Sequence, residues 1–219
     1  EDYFVYHPAY LPLRVLAKSV ASQAIPFVEV LPCSIEGIKL EGAHNVDNIR
    51  GAYTVARLLG VSDEDVESAV RAFDPLPHRL QNIGIYRGIT FYDDAIATAP
   101  EATIQALQAL PGVETIFLGG TDRGYRFEEL ARVLSESRVK NIVLFPDTGV
   151  RIEEALKMYV DFHPAILHTE SMEEAVKFAY KKTIPGAICL LSTASPSYRL
   201  WKNFEAKGDE FQSYVRALA

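Results

Sequence analysis

Apolar positions in the second part of the chain fall into two alternating patterns. Short, mostly apolar runs occupy 89–92, 115–118, 141–145, 165–167 and 188–191. Runs of this length, bounded by turn residues, predict strands, and their lack of polar alternation predicts parallel strands covered on both faces. Between them, apolar residues recur every three or four positions over 101–110, 127–134, 151–159 and 171–181, which predicts helices. Ser171 with Glu174 three residues on predicts a capped helix start. Before the first long run, 83–86, Arg87-Gly88 and 89–92 read as strand, turn and strand. The expected architecture is an α/β domain, a doubly wound and mostly parallel sheet with an N-terminal hairpin.

The first part is less regular. Residues 3–6 and 25–30 read as strands and 13–22 as a helix. Asn45 is expected to cap a helix whose apolar side is Val46, Ile49, Ala52, Tyr53, Ala56 and Leu59, stopping at Gly60. Asn45 and Asn48, three apart, project from one face of it. Ser62 and Asp65 resemble a capping box opening a further helix to Phe73. Asp74-Pro75-Leu76-Pro77 then interrupts helix formation, so the chain is expected to divide into 1–76 and 77–219.

Composition narrows the function. A net charge of −7 argues against a nucleic-acid surface. No apolar run approaches a membrane span and no signal-peptide pattern occurs, so no membrane partner is expected. Cys33 and Cys189 stand in no metal-ligand spacing and read as ordinary thiols of a reducing compartment. No metal site is predicted within the chain, and no Gly-x-x-x-x-Gly-Lys-Ser/Thr loop is present.

Three stretches carry candidate chemistry. In 90–101, a strand ends on Asp93 and Asp94, small residues follow, and Pro100 and Glu101 suit a first helical turn. Open α/β sheets bind ligands at such strand-to-helix junctions. In 119–124, Gly-Gly-Thr-Asp-Arg-Gly follows a strand and precedes a helix, and its glycines permit tight turns and close ligand approach. In 190–211, a strand empties into a Ser/Thr/Pro loop, then Asn203, Phe204 and a final helix.

Together these stretches resemble the Mur ligase family, in particular its D-glutamate-adding branch. Asp94, Ala97, Thr98 and Pro100 match the Asp-Ser-Lys-Ala-Thr-Asn-Pro signature that opens the family's C-terminal domain. The 119–124 loop is similar to Gly-Gly-x-Asp-Lys-Gly, with Arg123 for the lysine that binds a substrate carboxylate. Residues 190–211 resemble Leu-Leu-Ser-Pro-Ala-x-Ala-Ser followed by Asn-Phe-Glu-x-Arg-Gly-x-x-Phe. The His44-Asn45-x-x-Asn48 element resembles the end of the ATP-binding central domain, and the His78-Arg79 pair follows the linker as in the family.

The resemblance implies a Rossmann-like C-terminal domain from 77, preceded by a remnant of the central domain without its P-loop. It implies nucleotide binding by Asn48, Arg79, Asp94 and Thr98, and D-glutamate binding by Arg123, Thr98, Ser197 and Phe204, with no catalytic residue in the chain itself. It further implies a cytoplasmic, monomeric, ATP-dependent amide ligase of peptidoglycan precursor synthesis, acting on UDP-N-acetylmuramoyl-L-alanine through an acyl phosphate. ATP and Mg2+ are the implied cofactors, with Mg2+ held mostly outside this chain. The chain opens at Glu1 without methionine and is expected to be a fragment, inactive alone. Ile96 stands for a family lysine, Ala99 for an asparagine, Gln81 for an acidic residue and Lys207 for an arginine. The alternatives are a degenerate homologue that binds nucleotide or peptide without catalysis, or a related ligase such as a folylpolyglutamate synthase.

Overall fold

The computed structural model describes residues 2–32, 34, 36–40 and 42–219, and for His44 the backbone alone. The Cys33 thiol and the His44 imidazole therefore lie outside the described residues. The chain folds as two compact units, Glu1–Pro75 and Leu76–Ala219.

In the first unit, β1 (Tyr3–Tyr6) pairs in parallel with β2 (Gln23–Pro26), the two connected through α1 (Leu11–Leu16). The helix expected over 13–22 is thus shorter and begins earlier, with Pro12 in its first turn, where a missing N–H costs no hydrogen bond. The strand expected over 25–30 stops at Pro26, opposite the end of β1, because no partner backbone continues past Tyr6. Next come α2 (Ala43–Leu58) and α3 (Asp63–Ala72). Asn45 does not cap α2. Gly42, at φ 94°, takes the cap position, so the helix starts before Asn45 and leaves it in the first turn. Ser62 does cap α3: its hydroxyl accepts from Asp65 N at 3.1 Å and donates to Asp65 Oδ2 at 2.8 Å.

The second unit runs β3 (Gln81–Tyr86), β4 (Ile89–Asp93), α4 (Pro100–Ala109), β5 (Val113–Gly119), α5 (Glu128–Glu136), β6 (Asn141–Phe145), α6 (Thr148–Leu156), β7 (Ala165–His168), α7 (Met172–Lys182), β8 (Ile188–Leu191) and α8 (Phe204–Ala217). The sheet order is β3-β4-β8-β5-β6-β7. Only β3 is antiparallel to its neighbour, and Arg87 and Gly88 turn that hairpin with φ of 51° and 80°. The unit is therefore the doubly wound α/β domain expected from the apolar runs.

Alternate strand residues feed opposite faces. Ile116, Leu118, Ile142, Leu144 and Leu190 pack with Leu107 of α4, Leu130 of α5 and Ile152 of α6. Phe117, Val143, Phe145, Cys189 and Leu191 pack with Val176 of α7 and Phe211 of α8. Both faces are apolar, which explains why the runs showed no period of two. Burial raises the pKa of the free Cys189 thiol, so it packs as a small apolar side chain. Among the described residues, no helix is long and apolar enough to cross a membrane.

One feature of this topology positions the site. The last strand, β8, is inserted between β4 and β5, so the chain leaves the sheet in opposite directions from neighbouring strands there. In open α/β sheets such a reversal marks the ligand-binding crevice beyond the C-terminal strand ends. Three loops enter it, after β4, β5 and β8.

Candidate functional site

The loop after β4 begins with two buried carboxylates in different settings. Asp93 is fully buried; its Oδ2 lies 2.7 Å from His78 Nδ1 and accepts from Gln212 Nε2 at 2.8 Å, while its Oδ1 accepts from Ala95 N at 3.0 Å. Gln81 completes this group, accepting from His78 N at 3.0 Å and from Gln212 Nε2 at 3.2 Å. The neutral amide at 81 thus has defined partners, although the family pattern has an acid there. Gly208 lets α8 approach, since a Cβ there would stand 2.1 Å from His78 Nδ1. The Phe204 ring meets His78 edge-on at 6.2 Å.

Asp94 accepts from Leu80 N at 3.1 Å and from Ser192 Oγ at 2.7 Å. Burial pushes its pKa up to about 7; those two hydrogen bonds and the Arg79 charge hold it lower than it would otherwise be, and neighbouring Asp93 adds to the rise. Asp94 can therefore exchange its proton near neutral pH. Arg79 itself is exposed, and its guanidinium forms no ion pair among the described residues.

The loop after β5 is shaped by Gly119 and Gly120, at φ 101° and 157°. A Cβ on Gly119 would lie 2.1 Å from the Phe145 carbonyl oxygen, and one on Gly120 2.3 Å from that of Pro196. Only glycine fits either place. Thr148 Oγ1 bridges this turn to the third loop, accepting from Gly120 N at 3.0 Å and lying 2.7 Å from Ser195 Oγ. Thr121 N donates to Pro196 O at 2.8 Å, so the loops after β5 and β8 are joined directly.

At that junction two hydroxyls, Thr121 Oγ1 and Ser197 Oγ, are buried without a hydrogen-bond partner. An unsatisfied buried polar group costs about 1–3 kcal/mol, so both hydroxyls hold hydrogen-bonding capacity that the chain itself leaves unused. Arg123 is exposed beside them, with its guanidinium 5.9 Å from the centre of the Tyr198 ring and no carboxylate partner among the described residues. The adjacent Asp122 is instead paired with Arg151 at 2.6 Å. Asn203 caps α8, accepting from Ala206 N at 2.9 Å, and thereby fixes Phe204 at the first helical position.

Six of the residues singled out in the sequence, Arg79, Asp94, Thr98, Arg123, Ser197 and Phe204, lie in the second unit, on the segments around the C-terminal ends of β4, β5 and β8. Thr98 is half-buried, four residues beyond Asp94. Asn48 belongs to the first unit, where its exposed side chain donates to Asn45 Oδ1 at 3.3 Å. No three His, Cys, Asp or Glu side chains gather as metal ligands among the described residues.

Sequence reasoning missed Lys207, Gln212, Ser192 and Thr193. Lys207 and Gln212 do carry a signal: with Gly208, Phe211 and Val215 they recur on the buried stripe of α8, where polar side chains need a reason. Ser192 and Thr193 were visible only as part of a hydroxyl-rich loop.

Residues 78–194 match the family model described as Mur ligase, glutamate ligase domain. Proteins named UDP-N-acetylmuramoylalanine--D-glutamate ligase are similar along most of the chain. That of Geobacter sp. (strain M21) is 34% identical over 189 residues, 86% of this chain and 41% of its own length. That of Enterococcus hirae is 33% identical, over 100% of this chain and 51% of its own. The chain thus spans about half or less of the curated relatives it matches. Among solved structures, MurF from Acinetobacter baumannii superposes with a TM-score of 0.65 at 19% identity, covering 97% of this chain and 52% of that one. A bifunctional folylpolyglutamate synthase/dihydrofolate synthase from Yersinia pestis gives 0.64 at 16%, covering 99% and 53%. At these identities the structural likeness concerns the fold alone.

Proposed function

The chain belongs to the Mur ligase family, and from that premise we propose that it is the amino-acid-binding part of an ATP-dependent ligase that adds D-glutamate to UDP-N-acetylmuramoyl-L-alanine. The observation that carries this reading is the junction of the β5 and β8 loops, with two buried hydroxyls lacking a hydrogen-bond partner beside an arginine that has no carboxylate partner among the described residues. A carboxylate is the ligand that such a set suits: it accepts from both hydroxyls and from a guanidinium at once. Arg123, Ser197 and the backbone at Phe204 then hold the D-glutamate side-chain carboxylate, and the family resemblance adds Thr98 to the same subsite. The binding energy fixes the amine for attack on an activated acyl group.

ATP supplies that activation when bound. Arg79 is the group on this chain that fits its phosphates, being exposed, permanently charged and free of a carboxylate partner among the described residues. The family resemblance further assigns Asn48, Asp94 and Thr98 to the nucleotide. No ligand cluster for Mg2+ is found among the described residues, so we assign that ion no residue here. On this reading residues 1–76 are the end of the ATP-binding domain and 77–219 the glutamate-binding domain of a cytoplasmic, monomeric enzyme. Ile96 and Ala99 leave the loop after β4 poorer in polar contacts than the family signature, and a non-catalytic binder is the second reading they favour.

Calorimetric titration of the chain with D-glutamate and L-glutamate tests the proposal. Saturable binding of D-glutamate, weaker for the L enantiomer and weakened at least about tenfold by Arg123→Ala, is expected, since one charged hydrogen bond is worth about 1.5–3 kcal/mol. Equal binding of both enantiomers, or no effect of Arg123→Ala, would contradict it.

A further inference from the structure

Lys207 is 1% exposed, on the face of α8 that packs against the sheet. A buried lysine is costly unless its ammonium is engaged, and this one donates to Thr193 Oγ1 at 2.5 Å. Thr193, itself fully buried, directs its hydroxyl toward Ser195 O at 3.0 Å and Ala97 O at 3.4 Å. One hydroxyl therefore touches the loop that leads to Thr98 and the loop that leads to Ser197.

We propose that Lys207 is a positioning residue that couples the two substrate loops, its ammonium anchoring Thr193 so that the Ala97 and Ser195 carbonyls are held around one hydroxyl. This rests on the reading of those loops as the D-glutamate and nucleotide site. The charge has a second task. Asp93 and Asp94 are adjacent and buried at the end of β4, and the loop after them carries Ile96, which offers no charge. The fields of both carboxylates favour the ammonium of Lys207, although neither is within ion-pairing distance. A cation for this loop thus comes from α8 rather than from the loop itself.

The ammonium titrates where it matters. Burial lowers the Lys207 pKa to about 7, against the opposing pull of Asp93 and Asp94. The other charged or titratable groups facing this cluster are His78 on Asp93, Arg79 near Asp94, and Asp209 of α8, 3.6 Å from His78 Nε2. Arginine at 207 would keep its charge at every pH of interest.

The test compares the unaltered chain with Lys207→Met, Lys207→Arg and Thr193→Val, by hydrogen exchange and D-glutamate titration from about pH 6 to 9. The Ala97 amide, bonded to Asp94 O at 2.9 Å, and the Thr121 amide, bonded to Pro196 O at 2.8 Å, report the two loops. Lys207→Met and Thr193→Val should each speed exchange at both amides about tenfold or more and weaken D-glutamate binding similarly, with the β6 amides unchanged. Binding by the unaltered chain should weaken as pH rises above about 7, and Lys207→Arg should remove that alkaline loss. If Lys207→Met is too unstable to examine, Thr193→Val and the pH profile decide. Exchange and affinity within about twofold of the unaltered chain in both variants, or the same alkaline loss in Lys207→Arg, would overturn the proposal. If the unaltered chain binds no D-glutamate, the functional reading falls, while the exchange measurements, which need no ligand, still decide the role of Lys207.

Discussion

At the scale of single residues, the site depends on side chains held in protonation states that water would not favour. Asp94 titrates near 7 in the folded chain against an ordinary 3.8. The folded state therefore binds this proton more tightly than the unfolded state. Its contribution to stability is present below about pH 4 and is lost as pH rises to about 7, at up to about 1.4 kcal/mol per pH unit. Lys207, lowered from 10.5 to about 7, acts in the opposite sense: stability recovers as pH rises from about 7 toward 10. Asp94→Asn should remove the first of these trends. Urea unfolding at about pH 4.5 and 7.5 should show the variant gaining on the unaltered chain by about 1–3 kcal/mol between the two, and parallel behaviour would refute the assignment. The position of Asp94 at a strand end was legible in the sequence, and so was the hydroxyl at 197. The buried setting of Asp94 was not, because it depends on Ser192 and Leu80, brought in from 98 and 14 residues away.

At the scale of elements, the site is a matter of how closely backbones approach. α8 lies against β4 because position 208 has no side chain. Gly208→Ala would press a methyl group into His78 and Asp93, which cannot retreat from their own partners. Overpacking of this kind costs about 1–3 kcal/mol, so the variant should melt several degrees lower. An unchanged melting temperature would mean that α8 can shift without loss. Thr148 plays the corresponding part between β5 and β8. Thr148→Val leaves Gly120 N without its acceptor and Ser195 Oγ without its neighbour, and should destabilise the chain by about 1–3 kcal/mol, read from denaturant midpoints. The elements themselves were largely legible. Mostly apolar runs such as 141–145 could be little else than buried strands, and Pro100 marked the start of α4. The failures came where local signals compete. Asn45 has the chemistry of a cap, but the backbone freedom of Gly42 started α2 earlier. Lys207, which stands for a family arginine, lies on the buried stripe of α8, and that spacing is readable in the sequence once the helix is placed.

At the scale of the whole molecule, the decisive fact is the strand order. Placing β8 between β4 and β5 unites segments roughly a hundred residues apart, and no local pattern encodes such a pairing. The family resemblance supplied that information in advance, by tying the three loops to one domain. The chain forms two compact units, and limited proteolysis should cut first near the prolines at 75 and 77. The 76–219 piece should then stay folded and keep the D-glutamate affinity of the whole chain; loss of binding on cleavage would show that the first unit contributes to the amino-acid site. The central claim is that the loops after β5 and β8 form one receptor for a dicarboxylic amino acid. An NMR titration of the labelled chain with D-glutamate measures it most directly. The account predicts saturable shifts concentrated at the amides of Thr121, Arg123, Ser197 and Phe204, and absent from Arg123→Ala. Shifts centred elsewhere, or none in the unaltered chain at millimolar D-glutamate, would contradict it.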